Sequence, residues 1–103
     1  MLILATKLKN AINAQSGGMD LQFTLTNISI NGAKRGCSGF IRNKTNGTVV
    51  YVDTEKPCLS NLNYMYRYAD SERDYTGYRN RWANNLEELA SGICHCLRST
   101  QKN

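Results

Sequence analysis

The chain opens on a helical pattern of apolar positions. Leu4, Leu8, Ala11 and Ile12 recur at i, i+4, i+7 and i+8 and share one face of a helix over residues 2–14, with Lys7, Lys9 and Asn10 mostly off it. Ser16-Gly17-Gly18 ends that helix, because glycine adopts the left-handed backbone common just past a helix C-terminus. The period then drops to two. Leu21, Phe23 and Leu25 alternate with Gln22, Thr24 and Thr26, which predicts a strand over residues 20–30. The alternation slips by one before Ile28 and Ile30, and a bulge near Thr26-Asn27 would restore the face.

Asn31-Gly32 begins a turn that Ala33-Lys34-Arg35-Gly36 continues, and a second strand is predicted over residues 37–43 around Phe40 and Ile41. Lys44-Thr45-Asn46-Gly47 is a hairpin signal, since Asn-Gly suits the positive φ angles of a tight turn. Thr48 to Asp53, rich in β-branched and aromatic residues, predicts a third strand, and Pro57 breaks the pattern beyond it. Tyr64 to Ala69 predicts a fourth, with Tyr64, Tyr66 and Tyr68 on one face and Met65 and Ala69 on the other. Asp70 to Trp82 reads as a loop with a tight turn at Gly77.

The last helix has clear ends. Asn84 or Asn85 suits its N-cap, with Glu87 or Glu88 three residues later as in a capping box. His95 and Arg98 near its C-terminus complement the helix dipole, and Leu86, Leu89, Ala90, Ile93 and Leu97 supply the buried stripe. The expected fold is therefore α+β, in the order α-β-β-β-β-α. An antiparallel sheet of three to four strands carries both terminal helices on one face and leaves the other to solvent or a partner.

At 103 residues the chain fits one domain, residues 1–103. No stretch approaches a membrane span and no signal-peptide pattern is present, so a cytoplasmic protein is expected. In that compartment Cys37, Cys58, Cys94 and Cys96 are expected as reduced thiols. Cys94-His95-Cys96 has the residue types of a metal site. On a helix, however, positions i and i+2 point about 200° apart and cannot share an ion, and only Cys94 continues the apolar stripe. A site from Cys37, Cys58, Cys94 and His95 has no spacing motif behind it. No metal and no cofactor are expected, and no nucleophile motif accompanies the single histidine.

The net charge of +5 admits a polyanionic partner. Residues 63–82 concentrate five of the six tyrosines, the only tryptophan and four arginines, and rigid aromatics interleaved with arginine are typical of contact surfaces. Tyr64, Tyr66, Arg67, Tyr68, Tyr75, Tyr78, Arg79, Arg81 and Trp82 are the candidate partner-binding residues. Asp70, Glu72 and Asp74 nearly neutralise this segment. The excess positive charge lies earlier, so Lys34, Arg35, Arg42 and Lys44 are the candidate nucleic-acid-binding residues.

The α-β-β-β-α core resembles the double-stranded-RNA-binding domain in topology. The lysine cluster expected at the start of that family's last helix is replaced by the acidic Trp82-Ala-Asn-Asn-Leu-Glu-Glu88. Asn31-Gly-Ala-Lys-Arg-Gly-Cys-Ser-Gly-Phe-Ile-Arg42, Val50-Tyr-Val-Asp-Thr-Glu55, Tyr66-Arg-Tyr-Ala69 and Asp74-Tyr-Thr-Gly77 resemble small proteins of phages and conjugative elements of Firmicutes. That resemblance implies a non-enzymatic accessory protein of a mobile element. It would bind a protein or nucleoprotein, one version being an anti-CRISPR-like inhibitor of a host defence nuclease. The alternative is a module that binds DNA or RNA directly through its basic hairpin loops. The oligomeric state stays open.

Overall fold

A computed structural model of the chain describes residues 2–55, 63–75 and 79–99. The elements run α1 (Ala5–Gln15), β1 (Leu21–Ile30), β2 (Ala33–Asn43), β3 (Val49–Asp53), β4 (Tyr64–Ala69), β5 (Arg81–Ala83) and α2 (Leu86–Arg98). The five strands form one antiparallel meander in the order β1-β2-β3-β4-β5. Both helices pack on one face, and the α+β layering follows the sequence pattern. The sheet gains a fifth strand, because Arg81, Trp82 and Ala83, expected in a loop, pair with Tyr66, Met65 and Tyr64. Three residues are too few to carry a period that sequence could reveal.

The ladder register sorts every strand residue to a face. Toward the helices stand the rows Phe23–Ile41–Val50–Tyr68, Leu25–Gly39–Val52–Tyr66–Arg81 and Asn27–Cys37. These rows close on Leu8, Ile12, Leu89, Ile93 and Leu97, all wholly buried in the main core. Away from the helices stand Thr26–Ser38–Asp53–Met65–Trp82 and Thr24–Phe40–Tyr51–Arg67.

Two expectations about the first hairpin change. Asn31 (φ 53°) and Gly32 (φ 81°) alone make its turn, the pair of positive φ angles that lets a two-residue turn match strand twist. Lys34 and Arg35 therefore belong to strand β2. The bulge lies there as well, since the register skips between Ile28 and Ser29 and leaves Arg35 as the extra residue. Asn27 keeps the helix-facing phase that the apolar pattern loses. The reason is a hydrogen bond: its Oδ1 accepts from the Ala5 N–H at 2.8 Å. The residue before α1, Leu4, offers no side-chain cap, so a strand residue caps the helix from across the layer. Asn27→Ala should cost about 1 kcal/mol in urea unfolding. An unchanged midpoint would show that the α1 terminus does not depend on it.

α2 is capped at both ends. Asn85 Oδ1 accepts from the Glu88 N–H (2.9 Å), and Glu88 Oε1 reaches back to the Asn84 N–H (3.1 Å). At its far end the β2–β3 connection supplies the missing donors. Asn43 Nδ2 and Asn46 Nδ2 both donate to the Leu97 carbonyl (2.9 and 3.0 Å), and Thr48 Oγ1 donates to the Ser99 carbonyl (2.6 Å). The hairpin signal at residues 44–47 thus also holds a helix end.

Candidate functional site: the helix-free face of the sheet

The Tyr–Arg–Trp segment does not form one surface. Strand alternation and burial divide it. Tyr64 is 2% exposed and lies in the core, out of a partner's reach, and Tyr68 packs half-buried against the same cluster on the helix side. Tyr66 also faces the helices. Its ring lies against Gly92, where any added Cβ would strike the phenol, and burial pushes its hydroxyl pKa up. Arg81 stands on that side too, with its guanidinium carbon 5.1 Å from the Tyr68 ring centroid. Tyr66 and Arg81 line an open cleft with Glu88, Ser91, Gly92 and His95, although Glu88 is engaged in capping α2.

Arg67, Trp82 and Tyr75 belong to the opposite face. Arg67, predicted as a contact residue, is 1% exposed. Its guanidinium carbon lies 4.7 Å from the Tyr51 ring centroid, Nη2 donates to the Asp74 carbonyl (2.7 Å), and Nη1 meets Asp74 Oδ2 (3.4 Å) and the Tyr68 carbonyl (3.2 Å). A buried cation needs such a full set of partners. Here those partners tie residues 70–75 across the sheet as a strap. Asp74 Oδ2 also accepts from the Asp70 N–H (3.0 Å), which closes the strap on itself.

Under the strap lies a second apolar cluster of Phe40, Val49, Tyr51 and Ala69, with Met65 against it. The Tyr75 ring sits on it edge-on, 5.0 Å from Phe40 and 6.0 Å from Tyr51, and those two rings are 5.1 Å apart. Edge-to-face contacts of this kind fix ring orientation as well as burying area. Tyr75 nonetheless remains 64% exposed, and Trp82, beside Met65, 51% exposed. Sequence reasoning missed Phe40 and Tyr51 as the base of this surface, because each reads as an ordinary strand residue. The aromatic content of both strands and their shared parity was the available signal.

Two of the candidate cations are already matched. Arg42 Nη1 pairs with Glu72 Oε1 at 3.2 Å, a second tie to the strap, and Lys44 Nζ lies 3.8 Å from Asp20 Oδ1. Lys34 and Arg35 are exposed and make no ion pair among the described residues. Arg79 is exposed just before β5, with φ 68°. Tyr78 lies outside the described residues.

No family model, curated protein or solved structure matches this chain.

The cysteines sit apart from this face. Cys37, Cys94 and Cys96 are free and buried, whereas Cys58 lies outside the described residues. Contrary to the stripe read from sequence, Cys96 is as buried as Cys94, because α2 packs against both α1 and the sheet. Cys94 Sγ points to the Ile12 carbonyl of α1 (3.5 Å), and Cys96 lies on the Tyr68 side. Burial raises all three thiol pKa values. Thr54 opposes the rise at Cys37, Arg98 at Cys94, and Arg81 with Tyr68 at Cys96. Among the described residues no three His, Cys, Asp or Glu side chains come together as a metal site requires. No helix among them is long and apolar enough to cross a membrane.

Proposed function

We propose that this chain is a non-enzymatic binding protein that meets a protein or nucleoprotein partner with the helix-free face of its sheet. One observation carries the reading. Tyr75 stands exposed on a fixed aromatic base and Trp82 stands exposed beside Met65, while Arg42 and Arg67 of the same face already have carboxylate partners. A surface with an oriented aromatic anchor and largely paired arginines suits a polypeptide better than a polyanion. An anchor oriented by ring contacts, as Tyr75 is, also loses less entropy on binding.

Affinity capture from the host, then titration of the captured partner, tests this. Tyr75→Ala and Trp82→Ala should each weaken binding by about 2 kcal/mol, roughly thirtyfold, with far-ultraviolet circular dichroism unchanged. Full affinity in both folded variants would sink the assignment. The mobile-element role, including inhibition of a defence nuclease, rests on the resemblance of segments such as Asn31 to Arg42. A plasmid-interference assay with and without the protein tests it.

A second reading keeps direct nucleic-acid binding at the first hairpin, where Lys34 and Arg35 are exposed. Two phosphate contacts would give a salt slope of about −2 in log affinity against log salt. A flat salt dependence, or one unchanged in a Lys34→Ala, Arg35→Ala double variant, removes it.

A further inference from the structure

The two edges of the sheet are unlike. At one end β5 is three residues long, a common way of limiting an edge. At the other end β1 runs for ten residues, Leu-Gln-Phe-Thr-Leu-Thr-Asn-Ile-Ser-Ile, with no charge and no proline. Among the described residues, no backbone hydrogen bond reaches β1 from outside its ladder with β2. In an antiparallel pair alternate residues turn their N–H and C=O away from the partner strand. β1 therefore presents an open row of donors and acceptors. Its pairing with β2 is regular from Leu21 to Ile28, and the bulge that could twist the edge away comes only beyond that point.

A groove of about 160 Å³ runs beside this edge, between α1 and the sheet. Phe23 and Leu25, both half-buried, form its floor, and Ala5, Thr6 and Lys9 form its wall. A strand added to β1 would send alternate side chains into this groove against Phe23 and Leu25. Its other side chains would lie beside Thr24 and Thr26 on the helix-free face.

Charge selects the occupant. α1 carries Lys7 and Lys9 and no acidic residue, and Lys9 Nζ stands 5.5 Å from the Phe23 ring centroid, over the groove. A second copy of the chain paired edge to edge about a two-fold axis would bring α1 against α1 and two Lys9 ammonium groups together. Neither α1 nor β1 offers a carboxylate to separate them. An extended segment with acidic side chains has the complementary charge.

We propose that the open edge of β1 takes up an acidic, extended segment of another protein as a sixth strand, whose groove-facing side chains include apolar groups against Phe23 and Leu25 and a carboxylate on Lys9. The site is separate from the Tyr75–Trp82 surface and does not depend on it.

Fluorescence anisotropy of the full chain with a labelled peptide that has threonine at every second position and valine and glutamate in turn at the positions between, so that both face the groove, tests the proposal. Its valine–lysine counterpart and a glutamate peptide N-methylated at alternate positions serve as controls. The glutamate peptide should bind at least about tenfold more tightly than the lysine peptide. N-methylation should abolish binding by removing backbone donors, and Lys9→Glu should reverse the preference. Amide exchange should slow at alternate residues of 21–28 when the glutamate peptide is added. The proposal is overturned by equal binding of both peptides, by no binding up to about 1 mM, or by protection elsewhere on the chain. It is equally overturned if sedimentation shows the chain alone to be a dimer with the β1 edge amides already protected.

Discussion

Gly39→Ala should lower the unfolding free energy by about 4 kcal/mol, a large part of what a domain of this size holds in reserve. Gly39 lies on the helix-facing side of β2, opposite Leu25 of β1 and Val52 of β3. Two independent penalties meet there. Its φ of +145° falls where side-chain-bearing residues are strained. In addition, a Cβ at this position would fall on the Thr24 carbonyl oxygen and lie 3.0 Å from the Leu25 Cα. Those atoms are backbone, held in the longest ladder of the sheet, so relief requires β1 to lift from β2. A control separates the two penalties. Gly32 also has positive φ (+81°), but a Cβ there meets nothing within 4 Å, so Gly32→Ala should cost only about 1–2 kcal/mol. Equal urea midpoints for the two variants would show that close approach of the strands at Gly39 carries no weight.

Arg67→Ala should cost nearly as much, about 3–4 kcal/mol, and should also reshape the helix-free face. The substitution removes the guanidinium from between Tyr51 and Asp74, together with the 2.7 Å bond that anchors the Asp74 carbonyl. Near-ultraviolet circular dichroism should lose tyrosine signal as Tyr75 comes off Phe40 and Tyr51. Arg67→Met combined with Asp74→Asn keeps the buried volume and removes both charges, so it should recover a substantial part of the loss. If Arg67→Ala unfolds within about 0.5 kcal/mol of wild type, the buried cation is not what holds the strap. Because the strap fixes Tyr75, the stable double variant is also the cleaner test of binding. Weakened partner affinity there would come from a misplaced anchor rather than from a failing fold.

The helices and the Asn-Gly turns were legible because their signals are local, although the first turn was read four residues too long. Asn85 and Glu88 needed only each other's spacing, and Asn31-Gly32 only its own backbone. Strand parity was legible too, and it separated Tyr64, Tyr66 and Tyr68 from Met65 and Ala69. It could not tell which side the helices would cover, since tyrosines suit a half-wet face and Met65 and Ala69 suit a core. Arg67 misled for the same reason. An arginine between tyrosines looks solvated until Asp74, seven residues on, folds back to meet it. Distant partners also hid the roles of Asn27 and Asn43, whose side chains serve helix ends 22 and 54 residues away in sequence. Trp82 was identified as exposed, yet the three-residue strand that turns it away from Arg81 depends wholly on pairing with β4.

The order of the elements also governs how the protein can be made. All five strands precede α2 in the chain, and each pairs only with a neighbour in sequence, so the meander can form stepwise as synthesis proceeds. Its cover cannot. Leu89, Ile93 and Leu97 complete the core, and the Asn43, Asn46 and Thr48 side chains find their carbonyl partners only when α2 arrives. A nascent sheet with Ile41, Val50 and Val52 uncovered and the β1 edge open is the species most exposed to aggregation. The yield of folded protein should therefore track the rate at which the last helix is delivered, and a fusion that delays its release should lower that yield without altering the finished fold.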